Sequence, residues 1–447
     1  MAGGLLTDLY ELNMAASYLR RGMTGPATFS LFVRRLPAER GFLVAAGLED
    51  CLQFLEGFSL TGDDLDYLRQ VQRYDEDVLR MLAGLRFTGD VRAVPEGRVV
   101  FAGEPLLEVT APVAEAQLAE TVLLNHVTFQ TSVATKAARC VLAAAGAQVV
   151  DFAFRRTQGI EAGLAVARAS SIVGFASTSN VEAARRYGLT AAGTMAHSFV
   201  EAFADEKLAF AAFAQDFPGK TTFLVDTYDT EQGVRAAIEV TRQLRLPGPV
   251  GVRLDSGDLA GLARLARRML DDAGLPDARI FASGGLDEWA IADLVAGGAP
   301  VDAYGVGTKM GVSADAPYLD TAYKLVAYAG RPVMKLSPGK VTQPGAKQVY
   351  RGPGGDLLTL DGEAAPPDRN PLLVTVMRHG RRVAAPEPLA RARHRCVADL
   401  AWLPPAARAL RAPAPVPVAV SSQLAGLRVR LTRELTHSSA RSGPQPA

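Results

Sequence analysis

Between residues 149 and 328 the chain keeps returning to short apolar runs of strand length, and that recurrence constrains its fold more than any other feature. The runs are VVDFAF (149–154), IVGFA (172–176), LTAAG (189–193), TFLVD (222–226), PVGVRL (249–254), RIFAS (279–283), PVDAYGV (300–306) and AYKLVAY (322–328). Most of the intervals between them carry helical periodicity. The clearest is 258–274, where Leu259, Leu262, Ala263, Ala266, Met269, Leu270 and Ala273 follow the i, i+3, i+4 spacing and Gly274 stops the helix. Strands alternating with helices are βα units, which build a parallel sheet because each crossover helix returns the chain in the same direction. Eight such runs predict a closed (β/α) barrel rather than an open doubly wound sheet. No GxGxxG turn joins a first strand to a first helix, which weakens a dinucleotide-binding alternative.

The flanks lack this rhythm. Residues 26–35 alternate like a strand, 60–82 carry a helical stripe, 91–110 read as strands broken by Pro95, Gly97, Gly103 and Pro105, and 118–145 turn helical. After about residue 335 come short strands and turns (MKLSPGK, QPGAK, GPGGD), then Pro404, Pro405, Pro413, Pro415 and Pro417, a helix over 419–435 and a polar tail. These shifts divide the chain at 1–125, 126–335, 336–435 and 436–447, the last stretch expected to be disordered. Lys and Arg number 48 against 47 Asp and Glu, a net charge of +1 that offers no basic footprint for nucleic acid or a membrane surface. Cys51, Cys140 and Cys396 stand far apart, with neither disulfide nor metal spacing, which fits a reducing compartment. No apolar stretch of about 18 residues exists to span a bilayer. Asp8 and Glu11 lie where a signal peptide would carry basic residues. A cytoplasmic enzyme is the expectation.

In a parallel barrel the loops at the carboxyl ends of the strands converge on one face and carry the chemistry. Reading those ends gives Arg155 and Arg156, Ser177 to Asn180, Thr194 and His197, Asp226 and Asp229, Asp255 and Asp258, Gly284 and Gly285, and Gly307 and Thr308. Arginines, acids, one histidine and two glycine turns on one rim suit a phosphorylated sugar, since glycine turns expose backbone N–H groups to phosphate oxygens. His197 falls where the loop GTMAH enters a helix expected over SFVEAFADE, where a helix dipole would stabilise a phosphoryl group on the ring; a capping or packing histidine is the alternative. Asp258 reads as the cap of the next helix, leaving Asp255 for ribose hydroxyls or Mg²⁺. Arg253 lies on the same side of its strand as Asp255 by period-two alternation, as an anion clamp or a structural ion pair.

At these residues the sequence closely resembles the nicotinate phosphoribosyltransferases. The matching stretches are LLTDLYELNMAASYL, DFAFRRTQG, GFASTSNVEAA, GTMAHSF, LVDTYDT, GVRLDSGDL, FASGGLDE, YGVGTKM and MKLSPGKVTQPGAKQVYR, in order from residue 5 to about 351. The resemblance implies a type II phosphoribosyltransferase fold: an irregular (β/α) barrel beside an α/β domain formed from N- and C-terminal segments. It implies ATP-dependent condensation of nicotinate with phosphoribosyl pyrophosphate, with ATP and Mg²⁺ required, in a cytoplasmic homodimer with shared active sites. By motif, His197 is the phosphorylated histidine and Asp255 the ribose-binding acid. Tyr10, from the neighbouring subunit, and Phe152 stack on the pyridine ring. Thr194 and Arg253 contact substrate, Arg155 binds an anion, and Gly284, Gly285, Gly307 and Thr308 cradle the 5-phosphate. Lys335, Ser337 and Lys340 match the family motif but are explained by turn structure.

Ser179 bears on the choice of substrate. The sister nicotinamide enzymes carry an aspartate at the aligned position, which accepts from a carboxamide; a hydroxyl here can donate to a carboxylate that an aspartate would repel. The competing readings are a nicotinamide-using enzyme, a quinolinate enzyme, a sugar-phosphate aldolase or isomerase barrel and a catalytically silent nucleotide-binding regulator. The stretch Ser177 to Asn180 could instead only cap the following helix.

Overall fold

A computed structural model describes residues 3–219, 221–337 and 341–441. Two compact units emerge, Val133–Pro317 and the combination of Met1–Ser132 with Tyr318–Ala447.

The first unit is built on a curled, six-stranded half-barrel sheet. Its strand order is Ser177–Thr178, Gln148–Asp151, Ala303–Val306, Arg279–Ala282, Gly251–Leu254 and Thr222–Leu224, with every pairing parallel. A single parallel bridge from Thr178 to Ala191 extends it by one position. Val149, Val150, Phe223, Leu224, Val252, Leu254, Ile280, Ala282 and Val306 are all buried, as strands covered on both faces must be. The crossover helices begin where the sequence places an amide or carboxylate cap. Asn180, Asp229, Asp258 and Asp287 accept from the backbone N–H three residues on, at 3.0, 2.9, 3.2 and 3.0 Å. Each such cap is worth about 1 kcal/mol and fixes where a strand-end loop must stop, so the rim residues are held on short, tethered loops.

Three of the eight apolar runs are not strands of this sheet, and of these 189–193 supplies only the isolated bridge at Ala191. The run 172–176 is the end of the buried helix Ile160–Ile172 followed by Gly174 at φ +112°, a left-handed turn that aims the chain into Ser177–Thr178. A helix buried on most sides shows no polar stripe, so its last residues read like a strand. The run 322–328 is a true strand, Thr321–Tyr328, but it pairs antiparallel with Pro26–Val33 in the other unit. An apolar run specifies a strand without specifying its partner. The sheet is accordingly an irregular, open half-barrel rather than a closed eight-stranded barrel.

That second unit holds a seven-stranded antiparallel sheet, ordered Arg331–Pro332, Thr321–Tyr328, Pro26–Val33, Pro105–Pro112, Asp90–Ala93, Val374–Arg378 and Arg381–Arg382, so strands from both ends of the chain share one ladder. A four-stranded sheet joins Asn370–Pro371, Lys347–Gly352, Gly355–Leu360 and Val418–Val420. The stripe over 60–82 is two helices, Gly62–Gln70 and Glu76–Ala83, because Arg73 takes φ +55° between them and Thr61 and Asp75 each cap a new start. The N-terminal helix Leu9–Arg20 buries Glu11, Leu12, Ala15 and Ala16 and leaves Tyr10 48% exposed. In the motif MKLSPGK, the backbone N–H of Lys335 donates to Thr342 Oγ1 at 3.1 Å, a turn contact, while Lys340 lies outside the described residues. The last helix runs Ser422–Arg441, so the tail expected to be disordered starts as helix, and residues 442–447 lie outside the description.

Candidate active site

The strand Gly251–Leu254 places Arg253 between two neighbours, Leu224 on one side and Phe281 on the other. From there the guanidinium uses all three of its nitrogens. Nε donates to Ser283 Oγ at 2.8 Å, one terminal nitrogen to Thr194 Oγ1 at 3.0 Å and the other to Asp255 Oδ1 at 2.7 Å. Ser283 also donates to Asp255 Oδ1. One arginine thus ties together the ends of two adjacent strands and the loop before His197. A fork with fixed geometry can do this where a lysine, a point charge, could not. The ring of Phe152 lies beneath the guanidinium, 5.2 Å from ring centre to Cζ, and packs against Phe281 at 5.6 Å. Gly305 leaves room for that ring, since a Cβ there would come within 2.9 Å of it.

Asp255 is the hub. Its backbone N–H donates to Asp226 Oδ2 at 2.9 Å, and the neighbouring Ser256 hydroxyl donates to the same oxygen at 2.7 Å. Burial pushes the Asp255 carboxyl up, but the Ser283 hydroxyl and the Arg253 guanidinium outweigh it and hold the group below the usual carboxylate range. Its free oxygen lies 3.8 Å from His197 Nε2. His197 in turn meets Thr227 Oγ1 through Nδ1 at 3.1 Å. The helix His197–Glu201 has five residues and its cap position, Ala196, makes no side-chain bond, so His197 is neither a cap nor at the head of a long dipole. The helix expected over SFVEAFADE breaks after Glu201 and restarts as Glu206–Asp216 with Asp205 as cap. What surrounds the ring is Thr227 and Asp255, more than a macrodipole.

The glycine turns occupy the same rim. Gly284 takes φ +95°, and a Cβ there would fall 1.8 Å from the Asp255 carbonyl oxygen, so the residue must be glycine for the two loops to touch. Gly285, at φ +68°, faces open space. Gly307 precedes the single-turn helix Thr308–Gly311, and Thr308 is exposed. Arg155 sits in the single turn Phe154–Arg156 with its side chain exposed. Ser179 is half-buried between Thr178 and Asn180, and Asn180, not Ser179, supplies the helix cap. The structure therefore joins Phe152, Thr194, His197, Arg253, Asp255 and Gly284 in one connected set. Tyr10 belongs to the other compact unit.

Three contributors escaped the sequence reading: Ser283, Thr227 and the shaping glycine Gly305. Ser283 carries a findable signal, since it lies two residues after Phe281, on the same strand face by the alternation that pairs Arg253 with Asp255. Thr227 carries none, because a threonine after a strand is ordinary.

An arginine-held carboxylate beside a histidine, rimmed by glycine turns at the carboxyl ends of parallel strands, is an arrangement that suits an α/β enzyme of anionic sugar phosphates. Comparison with known proteins narrows this. Three family models match in sequence: the nicotinate phosphoribosyltransferase N-terminal domain over residues 5–128, the nicotinate phosphoribosyltransferase family over 147–342, and its C-terminal domain over 363–428. A nicotinate phosphoribosyltransferase of Mycobacterium tuberculosis is 49% identical over 96% of this chain and 94% of that protein. One from Bacillus subtilis is 47% identical over 78% of this chain and 72% of that protein. The crystal structure of human nicotinic acid phosphoribosyltransferase superposes with a TM-score of 0.84 at 32% identity, covering 95% of this chain and 99% of the other. The chain belongs to the nicotinate phosphoribosyltransferase family.

Proposed function

We propose that this protein condenses nicotinate with 5-phosphoribosyl 1-pyrophosphate to give nicotinate mononucleotide and pyrophosphate, serving NAD salvage in the cytoplasm, and that ATP drives the step through phosphorylation of His197. The observation that carries this reading is the connected set Thr194–Arg253–Asp255–His197, which puts an anion clamp, a carboxylate and a nucleophilic imidazole on one rim. Both substrates are anionic, so their approach needs fixed positive groups. Arg253, with Arg155 and the backbone of Gly284, Gly285, Gly307 and Thr308, supplies these. The nicotinate ring nitrogen attacks the sugar carbon as pyrophosphate leaves. Asp255, held ionised, stabilises the oxocarbenium-like charge that develops between them.

Phe152 offers one face of a stacking slot for the pyridine ring, and Tyr10 of a second copy the other, in a homodimer with shared sites. An aromatic pair of this kind contributes about 0.5–1.5 kcal/mol. The Ser179 hydroxyl donates to the nicotinate carboxylate. Mg²⁺ fits as an ion carried by the pyrophosphate. Among the described residues no group of three or more His, Cys, Asp or Glu could hold a metal, and Asp226 keeps a buried Oδ1 without a hydrogen-bond partner. Such ions keep one or two carboxylates and take the rest of their shell from phosphates and water. Its charge would offset that of the departing pyrophosphate. In the coupling step an imidazole nitrogen of His197 takes the γ-phosphoryl group as ADP leaves, and later hydrolysis returns the free ring.

The test is nicotinate mononucleotide formation with and without ATP, beside a nicotinamide control and the variant His197→Asn. The expected outcome is turnover of nicotinate but not nicotinamide, stimulated by ATP with ADP release, and loss of that stimulation in the variant with slow ATP-independent transfer retained. Undiminished coupling in His197→Asn would overturn the phosphohistidine; turnover of nicotinamide would overturn the role of Ser179.

A further inference from the structure

Asp151 ends the strand Gln148–Asp151 with a carboxylate that is fully buried (0% exposed). A buried carboxylate is costly unless its oxygens are occupied, and here both are. Oδ1 accepts the backbone N–H of Ala153 at 2.8 Å, and Oδ2 accepts the Thr178 hydroxyl at 2.7 Å. The Asp151 carbonyl takes the N–H of Ser179 at 2.8 Å. Thr178, having donated its proton to Asp151, accepts the Asn180 N–H at 3.0 Å, and Asn180 caps the helix Val181–Tyr187. Burial pushes the Asp151 carboxyl up, against the bonds from Thr178 and Ala153.

These bonds have a common geometry. Phe152 is the single residue between Asp151 and Ala153, so the side-chain bond closes a tight turn around it, while its own N–H donates to the Val306 carbonyl at 2.8 Å. Ser179 is the single residue between Thr178 and Asn180, both of which are buried and tied. One carboxylate therefore holds the backbone on either side of the aromatic ring with one oxygen, and the strand that presents the hydroxyl with the other. Parallel pairing of Asp151 with Thr178 sets the same register.

We infer that Asp151 is a positioning residue that fixes the distance between the Phe152 ring and the Ser179 hydroxyl, and through it the affinity for nicotinate and the preference for a carboxylate over a carboxamide on the ring. The inference rests on the reading above that Phe152 and Ser179 contact the pyridine substrate. Thr178→Val keeps the volume and removes the hydroxyl, and with it both the bond to Asp151 and the acceptor for the Asn180 N–H; Asp151→Asn keeps an acceptor for Ala153 and changes only the contact with Thr178.

The experiment measures KM for each substrate, kcat, the nicotinate-to-nicotinamide ratio of kcat/KM and the melting temperature for both variants, with Phe152→Ala and Ser179→Ala alongside. Misplacing a binding group by about 1 Å costs up to ~100-fold, so Thr178→Val is expected to raise KM for nicotinate ~10-fold and lower the ratio by a similar factor. KM for phosphoribosyl pyrophosphate should rise less than KM for nicotinate, because the glycine turns at Gly284, Gly285 and Gly307 proposed to cradle its phosphate lie on other loops. Asp151→Asn should fall between Thr178→Val and the wild type. A lower melting temperature with nicotinate KM and ratio unchanged would overturn the positioning role, as would an equal rise in both KM values. If Ser179→Ala and Phe152→Ala leave nicotinate KM and the ratio untouched, the underlying contact reading fails instead, and the two failures are told apart.

Discussion

Two arginines in this molecule look alike in local chemistry, yet the webs they hold differ in one respect. Arg253 and Arg351 each end a web of hydrogen bonds, each lie over an aromatic ring, and each are mostly buried, at 13% and 9% side-chain exposure. Arg351 donates to both oxygens of Asp356, at 3.0 and 2.6 Å, to Asp399 at 2.8 Å and to the Val99 carbonyl at 2.8 Å, above Trp402. Asp356 is fully buried, and Asp399 is spent on Arg98 and the Val99 N–H as well. Nearby, burial and the charge of Asp356 push the Glu104 carboxyl well up, so that the cluster balances its charges internally. Arg253 instead has two hydroxyls and one carboxylate as partners, and that carboxylate keeps an oxygen facing His197. A closed web holds a fold together; a web with one acid left addressable can act on something that arrives.

Breaking each web should separate the two roles. Arg351→Met leaves the buried Asp356 without its cation and should cost about 3–5 kcal/mol, read as a large fall in melting temperature. Whatever protein stays folded should keep its KM values. Arg253→Met should do the reverse. Its kcat/KM is expected to fall ~10²–10³-fold, the loss typical of removing one fixed electrostatic group from a reacting site, with a melting temperature shifted less than half as far as in Arg351→Met. Equal destabilisation by the two substitutions would erase the distinction, and an Arg253→Met enzyme of normal activity would reduce Arg253 to a structural clamp. Arg253→Lys sharpens the point: it keeps the charge but not the three-way fork, so most of the loss should persist.

The contrast also explains what a sequence can disclose. Arg253 and Asp255 were legible as partners because strand alternation places residues i and i+2 on one face, and Asp258 as a helix cap because caps are local. The strand ends themselves followed from the βα rhythm. Arg351 and Asp399 are 48 positions apart and meet only through the fold, so nothing in either segment announces the other. The same limit hid the partner of Thr321–Tyr328, whose apolar pattern suits an antiparallel sheet as well as a barrel. Ser283 and Thr227 were missed for a different reason: their hydroxyls gain meaning only from the Arg253 guanidinium and the His197 ring that face them. Local rules disclose faces and caps, and long-range pairing decides which polar residues become a site.

Glu206 lies between the two kinds of acid and offers a milder probe. It opens the helix Glu206–Asp216, with Oε1 buried and without a hydrogen-bond partner. Burial, followed by the charges of Asp226 and Asp229, lifts its carboxyl from 4.5 to about 7. A carboxyl raised on folding binds its proton more tightly in the native state, so its contribution is complete below the unfolded value and is lost as pH climbs through the folded one. For Glu206 that window runs from about pH 4.5 to 7. In Glu206→Gln the group cannot ionise, so the variant should match the wild type near pH 4 and melt progressively higher than it as pH rises to 8. The difference should be small, because the side chain is only partly buried and solvent screens it. A constant offset across that range would mean that Glu206 does not titrate there. A variant less stable at pH 8 would mean that the ionised carboxylate is held by an attraction stronger than the repulsion from Asp226 and Asp229, and that this acid belongs with the closed webs.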